Sequence, residues 1–451
     1  MSKEKIIIIT CLFFIFILNA SFHFYRLNYP SQPIWDEVHF ATYASDYVKN
    51  KAFFDIHPPL GKLIFAAALK LSGQKIDNPD FITFEYSRLP SGNINVKSSK
   101  PISDYGSFPY VWLRSVSVIF GLLLPFVFYL FLRRINLNPL SAILGAFFIT
   151  FENALLLDTR LILLNGMFLV FGLAALTLFF DQKRSGFMAG LFFGLALSVK
   201  LTAVVFLGPL ILDYFLAQDK KEKRQKILRF LSIGFVFCFI LIVASGFIFS
   251  FDKRIDLLKT VYLLDDKLLQ IADKNVLEKF LIITTIENFN AIANYVTGSP
   301  AIDESPWYLW PLMQKPLILF ENSGKQIILT GNVFLWFSGT LAVLLGIFIM
   351  FKKLAGNLRS SLARDRTLIL LLSGYFFALS PFIVFVQRST FLYHYFPSLL
   401  FALGLVAYLI QKFTGFNKIT DLNKKQVIIL TLILLLTLGG FISSLKFVYG
   451  L

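Results

Sequence analysis

Eleven apolar stretches divide this chain of 451 residues, and most are about as long as a lipid bilayer is thick. A helix needs about 20 apolar residues to cross the roughly 30 Å of hydrocarbon. Inside the bilayer the backbone must satisfy its own hydrogen bonds, which favours helices for such stretches. The sequence therefore predicts an all-α polytopic membrane protein with about 11 transmembrane helices, at 4–25, 110–132, 139–157, 160–180, 186–199, 201–217, 228–250, 329–351, 367–386, 390–411 and 426–448.

The basic residues predict the orientation of these helices. If the N-terminus is cytoplasmic, the loops on its side hold most of the Lys and Arg residues, including the run 220–226. Cytoplasmic loops of membrane proteins carry this excess, so we expect an external C-terminus and a location in the cell (plasma) membrane. Reading 186–217 as one helix would reverse every later loop, so two helices are predicted there, with Lys200 between them.

Composition excludes a soluble protein and a nucleic-acid-binding one. Hydrophobic residues make up 56% of the chain and charged residues only 16%, whereas soluble domains carry roughly a quarter charged residues. The formal net charge of +16 is explained by the cytoplasmic loops, and no basic helix or aromatic-basic platform is present. The expected partner of these loops is the lipid bilayer, through its anionic headgroups.

Two long segments lie on the external side in this arrangement. External loop 1 (26–109) contains an amphipathic run at Leu60–Leu71, and external loop 4 (251–328) begins with helix-like sequence at 251–280. We therefore expect one transmembrane domain over 1–451, with short helices in both loops. The loop 251–328 ends in an aromatic-proline run that contains Trp307 and Trp310, a composition that also suits the membrane interface.

Polar residues that could carry chemistry gather at the external ends of the predicted helices. Ionisable groups at a membrane border are costly to desolvate, so their clustering indicates a site. The cluster comprises Asp36, Glu37, His39, His57, Lys62, Arg114, Glu152, Asp158, Arg160, Lys200, Arg388, Tyr393 and His394. Paired carboxylates can supply a general base, and Arg114, Lys200 and His394 can neutralise a phosphate. This combination suits glycosyl transfer from a lipid-linked phosphosugar.

Simpler explanations exist for several of these residues. Asp36 and Glu37 could be solvated acids at a helix end, and Arg160 could extend its charge from the membrane to water. His57 precedes two prolines and could mark only a turn. Cys11 and Cys238 lie in apolar runs without metal-ligand spacing, so neither a metal nor a cofactor is predicted.

Six motifs occur in order along the chain. The segments WDEVHF (35–40) and FDIHPPLGK (54–62) are similar to the first external loop of the protein O-mannosyltransferase family. Later segments are similar to its DNAL…SRxILLD, GLAxSVK, WxWPLM, GNPxxWW and HHYLP motifs. They are 152–155 with 160–164, 194–200, 307–313, 331–336 and 393–397.

The resemblance implies a GT-C fold and a defined reaction. Mannose would pass with inversion from polyprenyl (dolichyl) phosphate mannose to Ser or Thr hydroxyls of a secreted or membrane protein, without a metal, and a dimer is an expected assembly. Asp36 would be the catalytic base, with Glu37 beside it. The sugar donor would be bound by Arg114, Lys200, His394, Tyr393 and Arg160. Acceptor binding and loop support would come from His39, His57, Lys62, Trp307 and Trp310.

The sequence departs from the family at three positions and leaves two alternatives open. Asn165 and Glu152 stand where the family usually has aspartate, and Tyr393 replaces one histidine of a pair. The loop 251–328 is too short for the MIR domain of eukaryotic members. One alternative is transfer to a lipid or glycan acceptor, as in aminoarabinose transferases, and the other is a lipid flippase or transporter. Mannose and glucose are not distinguished by sequence.

Overall fold

The computed structural model describes residues 2–74, 84–88, 94–98, 104–181, 186–217, 219–249, 253–256, 275–297, 304–354, 365–416 and 418–451. Parts of the predicted external loops 26–109 and 251–328 therefore lie outside the described residues. The same holds for most of the helix-like sequence expected at 251–280.

The described chain is mainly helical. The α-helices in chain order are α1 (Lys3–Phe24), α2 (Glu37–Lys49), α3 (Leu60–Leu71), α4 (Tyr110–Arg134), α5 (Pro139–Thr150), α6 (Asn153–Asp158), α7 (Asn165–Phe179), α8 (Phe187–Val199), α9 (Gly208–Leu216), α10 (Lys220–Gly246), α11 (Val276–Thr297), α12 (Val333–Leu354), α13 (Arg366–Val384), α14 (Phe396–Thr414) and α15 (Lys424–Tyr449). Short 3₁₀ helices cover Leu201–Leu207, Trp307–Leu312, Leu392–Tyr395 and Ile419–Asp421.

Seven of these helical segments are long and apolar enough to cross a bilayer: α1, α4, α10, α12, α13, α14 with its preceding 3₁₀ turn, and α15. Four shorter apolar segments, at α5, α7, α8 and Leu201–Leu216, complete the set in the described part of the chain. These eleven segments fall at the positions of the eleven predicted spans. The prediction of a polytopic helical protein is therefore confirmed.

Two predicted spans are less regular than expected. The span 139–157 is broken between α5 and α6, because the Glu152 carboxylate accepts a hydrogen bond from the Leu155 amide at 2.6 Å and starts a new helix. The span 160–180 becomes helical only at Asn165. The division of 186–217 is confirmed, since Lys200 is extended (φ −145°, ψ 130°) between α8 and the 3₁₀ helix.

Helices α8 and α10 pack closely through glycine. A Cβ atom on Gly190 would lie 2.8 Å from the Phe230 carbonyl oxygen, and one on Gly194 would lie 2.8 Å from the Gly234 carbonyl oxygen. Both distances are shorter than van der Waals contact, so only glycine permits this approach.

Two antiparallel hairpins were not predicted. Strands β1 (Phe84–Arg88) and β2 (Ile94–Ser98) pair within the segment 26–109, and β3 (Leu317–Asn322) pairs with β4 (Lys325–Leu329) near the end of the segment 251–328. The turn of the second hairpin is Ser323-Gly324, with φ of 49° and 78°. Two successive positive φ values match the twist of a tight hairpin.

Glu152 joins three helices in the interior. Its side chain is fully buried and accepts hydrogen bonds from the Asn332 amide at 3.0 Å and the Trp336 indole at 2.8 Å, besides that from Leu155. The Asn332 side-chain amide in turn donates to the carbonyls of Phe151 and Thr437. These bonds connect the α5–α6 break to α12 and α15, and they account for the motifs at 152–155 and 331–336.

Replacing Glu152 by Ala is expected to destabilise the fold. The change leaves three N–H groups without their acceptor, and each buried unpaired group costs about 1–3 kcal/mol. We expect Tm in detergent, followed by circular dichroism, to fall by several degrees. Trp112→Phe is the control, since Trp112 is half exposed and its indole donates to Ala68 at the surface of α3. An unchanged Tm for Glu152→Ala would contradict this account.

Candidate active site

Asp36 occupies the residue before α2, where the backbone is unusual. Trp35 has φ of 51°, a conformation that is uncommon for a bulky residue and often marks functional sites. Asp36 itself is half-buried, and its side chain makes no capping hydrogen bond to α2. None of the described residues donates a hydrogen bond to its carboxylate. The carboxylate is therefore able to accept a proton or hydrogen bond from a ligand.

Glu37, the next residue, points into the protein. Its buried carboxylate forms a two-bond pair with the Arg114 guanidinium, at 2.8 Å to Nε and 2.7 Å to Nη2. It also accepts from the backbone amides of Ile34 and Ile162. Glu37 thus fixes the turn before α2 to α4 and to the segment between α6 and α7. Its role in this geometry is to position Asp36.

Arg114, which the sequence predicts to bind the sugar donor, is held by protein groups in the structure. The Arg114 Nη1 atom donates to the carbonyls of Leu27 and Pro30, at 3.0 and 2.9 Å, while the rest of the guanidinium faces Glu37. The side chain is 1% exposed and does not line the cavity that contains Asp36. Its charge is used to hold the loop after α1.

Arg160 is likewise placed elsewhere than predicted. Its guanidinium donates to the carbonyls of Phe22, Tyr25 and Arg26 at the end of α1, and lies 4.3 Å from the centre of the Tyr449 ring. It is 4% exposed, so it does not extend to water either. Arg160 stabilises a helix C-terminus, where a cation is favourable, and is not in the cavity with Asp36.

A cavity of about 170 Å³ contains Asp36 together with two cations. The cations are Lys200, from the break after α8, and Arg388, from the loop between α13 and α14. The complete lining is Asp36, His39, Phe40, Tyr43, Phe54, Asp55, Ile56, His57, Lys200, Arg388, Tyr393 and His394. We call this cavity the acid–cation pocket. It brings together residues from four separate parts of the sequence.

Lys200 is held in this pocket by neighbouring polar groups. Its ammonium donates to Asn165 Oδ1 at 2.7 Å and lies 5.6 Å from the centre of the Tyr393 ring. Burial lowers the pKa of the Lys200 ammonium to about 8, and the carboxylates of Asp158 and Asp36 oppose that shift. The group therefore carries a positive charge at neutral pH and loses it in mildly alkaline solution.

The predicted supporting residues divide between the pocket and its surroundings. His39, His57, Tyr393 and His394 line the pocket. Trp310 is fully buried and stacks on the His394 ring at 6.0 Å, so it supports the pocket from behind. Trp307 lies in the 3₁₀ helix Trp307–Leu312, half-buried and outside the described lining.

Lys62 and His57 stabilise the loop between α2 and α3. The buried Lys62 ammonium donates to the Asp55 carboxylate and to the His57 carbonyl. Burial, with Lys200 and Lys62 nearby, holds the pKa of the His57 imidazole well below its usual range. His57 is therefore neutral at pH 7 and can offer both a hydrogen-bond donor and an acceptor.

A second cavity, of about 120 Å³, lies on the other side of the segment Phe54–His57. Its walls include Lys62, the end of α10 and the middle of α11. There Arg254 pairs with Glu287 at 2.6 Å and donates to Thr284 and the Gly246 carbonyl. The charged groups that line this second cavity are thus largely paired with one another.

Two charged pocket residues, Asp55 and Arg388, were not assigned a role from sequence. Asp55 lies within the motif 54–62, and Arg388 was noted among the polar residues at the external helix ends. Arg388 lies five residues before the motif at 393–397, and this closeness in sequence could have indicated a role for it. No group of three or more His, Cys, Asp or Glu residues suited to a metal ion occurs within the described ranges.

The fold is that of the polytopic membrane proteins of GT-C type. The chain aligns over its full length with 90% of a chain in the Saccharomyces cerevisiae Pmt1-Pmt2 protein O-mannosyltransferase complex bound to the sugar donor (TM-score 0.77, 14% identity). It also matches an Archaeoglobus fulgidus oligosaccharyltransferase, over 98% of this chain and 56% of the other (TM-score 0.57, 13% identity). These likenesses establish a shared fold.

The chain belongs to the dolichyl-phosphate-mannose-protein mannosyltransferase family, whose model matches residues 13–258. A model of the C-terminal four-helix region of protein O-mannosyltransferases matches residues 286–451. Among curated relatives, Protein O-mannosyltransferase 1 of Drosophila melanogaster is 31% identical over 42% of this chain and 20% of its own length. Dolichyl-phosphate-mannose–protein mannosyltransferase 1 of S. cerevisiae is 30% identical over 38% and 19%. The chain thus spans about a fifth of the relatives it matches.

Replacing Glu37 by Ala is expected to prevent stable folding. Removing one partner of a buried ion pair costs about 3–5 kcal/mol, because the other charge is left uncompensated. We expect little monodisperse protein after detergent extraction, measured by size-exclusion chromatography. Lys51→Ala is the matched control, since Lys51 is exposed and its ion pair with Asp46 is long, at 3.8 Å. Equal yields of both variants would argue against the role given to Glu37.

Proposed function

We propose that this protein transfers mannose, with inversion, from a polyprenyl (dolichyl) phosphate to Ser or Thr hydroxyls of secreted or membrane proteins. The observation that carries the proposal is the acid–cation pocket, in which Asp36 lies with Lys200 and Arg388. Membership of the mannosyltransferase family supports the choice of sugar donor and acceptor. So does the likeness to the yeast complex, which is bound to its sugar donor.

Asp36 acts as the general base of a single displacement. Its carboxylate takes the proton of the acceptor hydroxyl while that oxygen attacks C1 of mannose. The bond between C1 and the phosphate oxygen breaks, and its electron pair leaves with the polyprenyl phosphate. Attack opposite the leaving group inverts the configuration at C1. General-base catalysis of this kind contributes typically 10²–10⁴-fold to a rate.

Lys200 and Arg388 stabilise the departing phosphate. Negative charge grows on the phosphate in the transition state, and cations fixed nearby lower the energy of that state more than that of the bound reactants. Arg388 takes the part that the sequence assigned to Arg114. His39, Tyr393 and His394 line the same pocket and offer polar atoms to the hydroxyl groups of the sugar.

The proposal extends to sidedness and assembly. The concentration of Lys and Arg in alternate loops supports a cytoplasmic N-terminus, which places Asp36, after one span, on the external face. The yeast structure is a complex of two chains, Pmt1 and Pmt2. By analogy we propose pairing with a second subunit of the same fold.

Asp36→Asn is expected to lower transfer at least 100-fold while leaving Tm within about 2 °C. The amide cannot take up a proton, yet it fills the same half-buried space. The measurement uses purified protein, synthetic polyprenyl-phosphate-[¹⁴C]mannose and a Ser/Thr-rich peptide. Asp46→Asn, on the same helix but outside the pocket lining, is the control and is expected to remain active.

The same assay run in native membranes separates the alternative acceptors. Label in protein supports the proposal, whereas label in the lipid or glycan fraction supports the alternative transferase. Movement of label across the membrane with the phosphosugar intact would indicate a transporter. Near-normal turnover by the Asp36→Asn variant would show that Asp36 is not the general base.

The pH dependence of the reaction is expected to follow the loss of the proton from the Lys200 ammonium. Because its pKa is lowered to about 8, the ammonium loses its charge above that pH, and kcat/KM for the sugar donor should fall there. Lys200→Arg keeps a cation at all accessible pH values, so any remaining activity should lack this alkaline fall. The exposed Lys253→Arg variant is the control and should keep the wild-type profile. If Lys200→Arg showed the same alkaline fall of kcat/KM as the wild type, a group other than Lys200 would be responsible for that fall.

A further inference from the structure

Lys200 is the end of a buried chain of hydrogen bonds. Asp158, the last residue of α6, accepts from Asn165 Nδ2 at 2.7 Å, and Asn165, the first residue of α7, accepts from the Lys200 ammonium at 2.7 Å. The exposed fractions of Asp158, Asn165 and Lys200 are 1%, 7% and 9%. Of these three residues, only Lys200 lines the acid–cation pocket.

The chemistry of the two outer groups fixes how the middle one is oriented. The Asp158 oxygen that faces Asn165 accepts a hydrogen bond, and an ammonium only donates them. An amide offers one side of each kind, so Asn165 must turn its nitrogen to Asp158 and its oxygen to Lys200. A leucine at position 165 would be about the same size as Asn165 but could make neither hydrogen bond. An ionised aspartate at position 165 could accept a hydrogen bond from Lys200, but its negative charge would face the carboxylate of Asp158.

The neutral amide leaves the charge of Lys200 available to a ligand. Asn165 takes one of the three ammonium donors, and no other described residue is seen to accept from Lys200. The compensating carboxylate stands one residue further back, at Asp158, whose Oδ2 atom is buried without a hydrogen-bond partner among the described residues. A direct ion pair would instead compete with a phosphate for the same ammonium.

We propose that Asn165 is a positioning residue that aims the Lys200 ammonium at the departing phosphate, and that Asp158 holds Asn165 in the required orientation. This inference rests on the proposed function, in which Lys200 contacts the phosphate of the sugar donor. It assigns a role to a residue outside the pocket.

The first test is a double-mutant cycle on kcat/KM for polyprenyl-phosphate-mannose. Asn165→Leu is expected to lower kcat/KM at least tenfold, and to have no further effect when Lys200 is already Met. A merely structural role would lower activity equally in both backgrounds. Ser198→Ala is the control, because its buried hydroxyl donates to the Gly194 carbonyl on the same helix and Ser198 is outside the pocket lining.

The second test is a polarity swap that keeps the buried chain satisfied. In D158N/N165D, the new carboxylate accepts from both Lys200 and the new amide, so the fold is retained even if Asn165→Leu fails to fold. The direct ion pair should move the alkaline fall of kcat/KM up by at least one pH unit. The other charged or titratable groups that face Lys200 are unchanged in this variant: Asp36, Asp55, His57, Arg388, Tyr393 and His394.

The outcomes separate the two claims. If Lys200→Met lowers kcat/KM but Asn165→Leu does not, or the swap leaves the alkaline fall in place, the role of Asn165 is overturned and the proposed function stands. If Lys200→Met has no effect on kcat/KM, the phosphate contact itself is wrong, and the positioning role fails with it.

Discussion

The ion pair between Glu37 and Arg114 connects the parts of the structure on which the pocket depends. One carboxylate receives the Arg114 fork and two backbone amides, so it joins the loop after α1, the start of α2, α4 and the segment before α7. Such a pair is costly to bury, and it is stable only because its hydrogen-bonding capacity is met. Its consequence is geometric. Asp36, one residue earlier, is held at the edge of a cavity, and no described residue donates a hydrogen bond to its carboxylate.

The polar residues at this end of the helices thus fall into two groups. Glu37, Arg114, Arg160 and Glu152 are buried against backbone groups or one another and hold the helices in place. Asp36, Lys200 and Arg388 face the pocket. Catalysis by charge needs groups that do not move when charge develops, and the first group provides that rigidity to the second.

Hydropathy and charge distribution were sufficient to predict the eleven apolar segments, because membrane insertion depends on just those properties. The break at Glu152 was missed because it depends on a capping bond to Leu155 and on donors from α12, which are distant in sequence. The positions of Arg114 and Arg160 could not be predicted for a related reason. A cation at a helix end can face the pocket or the backbone, and only the fold decides which. Asp36, Lys200 and His394, which the sequence grouped together, line one pocket, since their motifs lie at helix breaks or ends.

The glycine contact between α8 and α10 limits how a long-chain lipid can approach. These helices touch at Gly190, Gly194 and Gly234 with backbone nearly against backbone, and a hydrocarbon chain is about as wide as the side chains that are missing there. No acyl or prenyl tail can pass through that seam. The tail of the proposed lipid-linked sugar donor therefore has to run along a different groove of the bundle, and its route is set by where the helices are held apart.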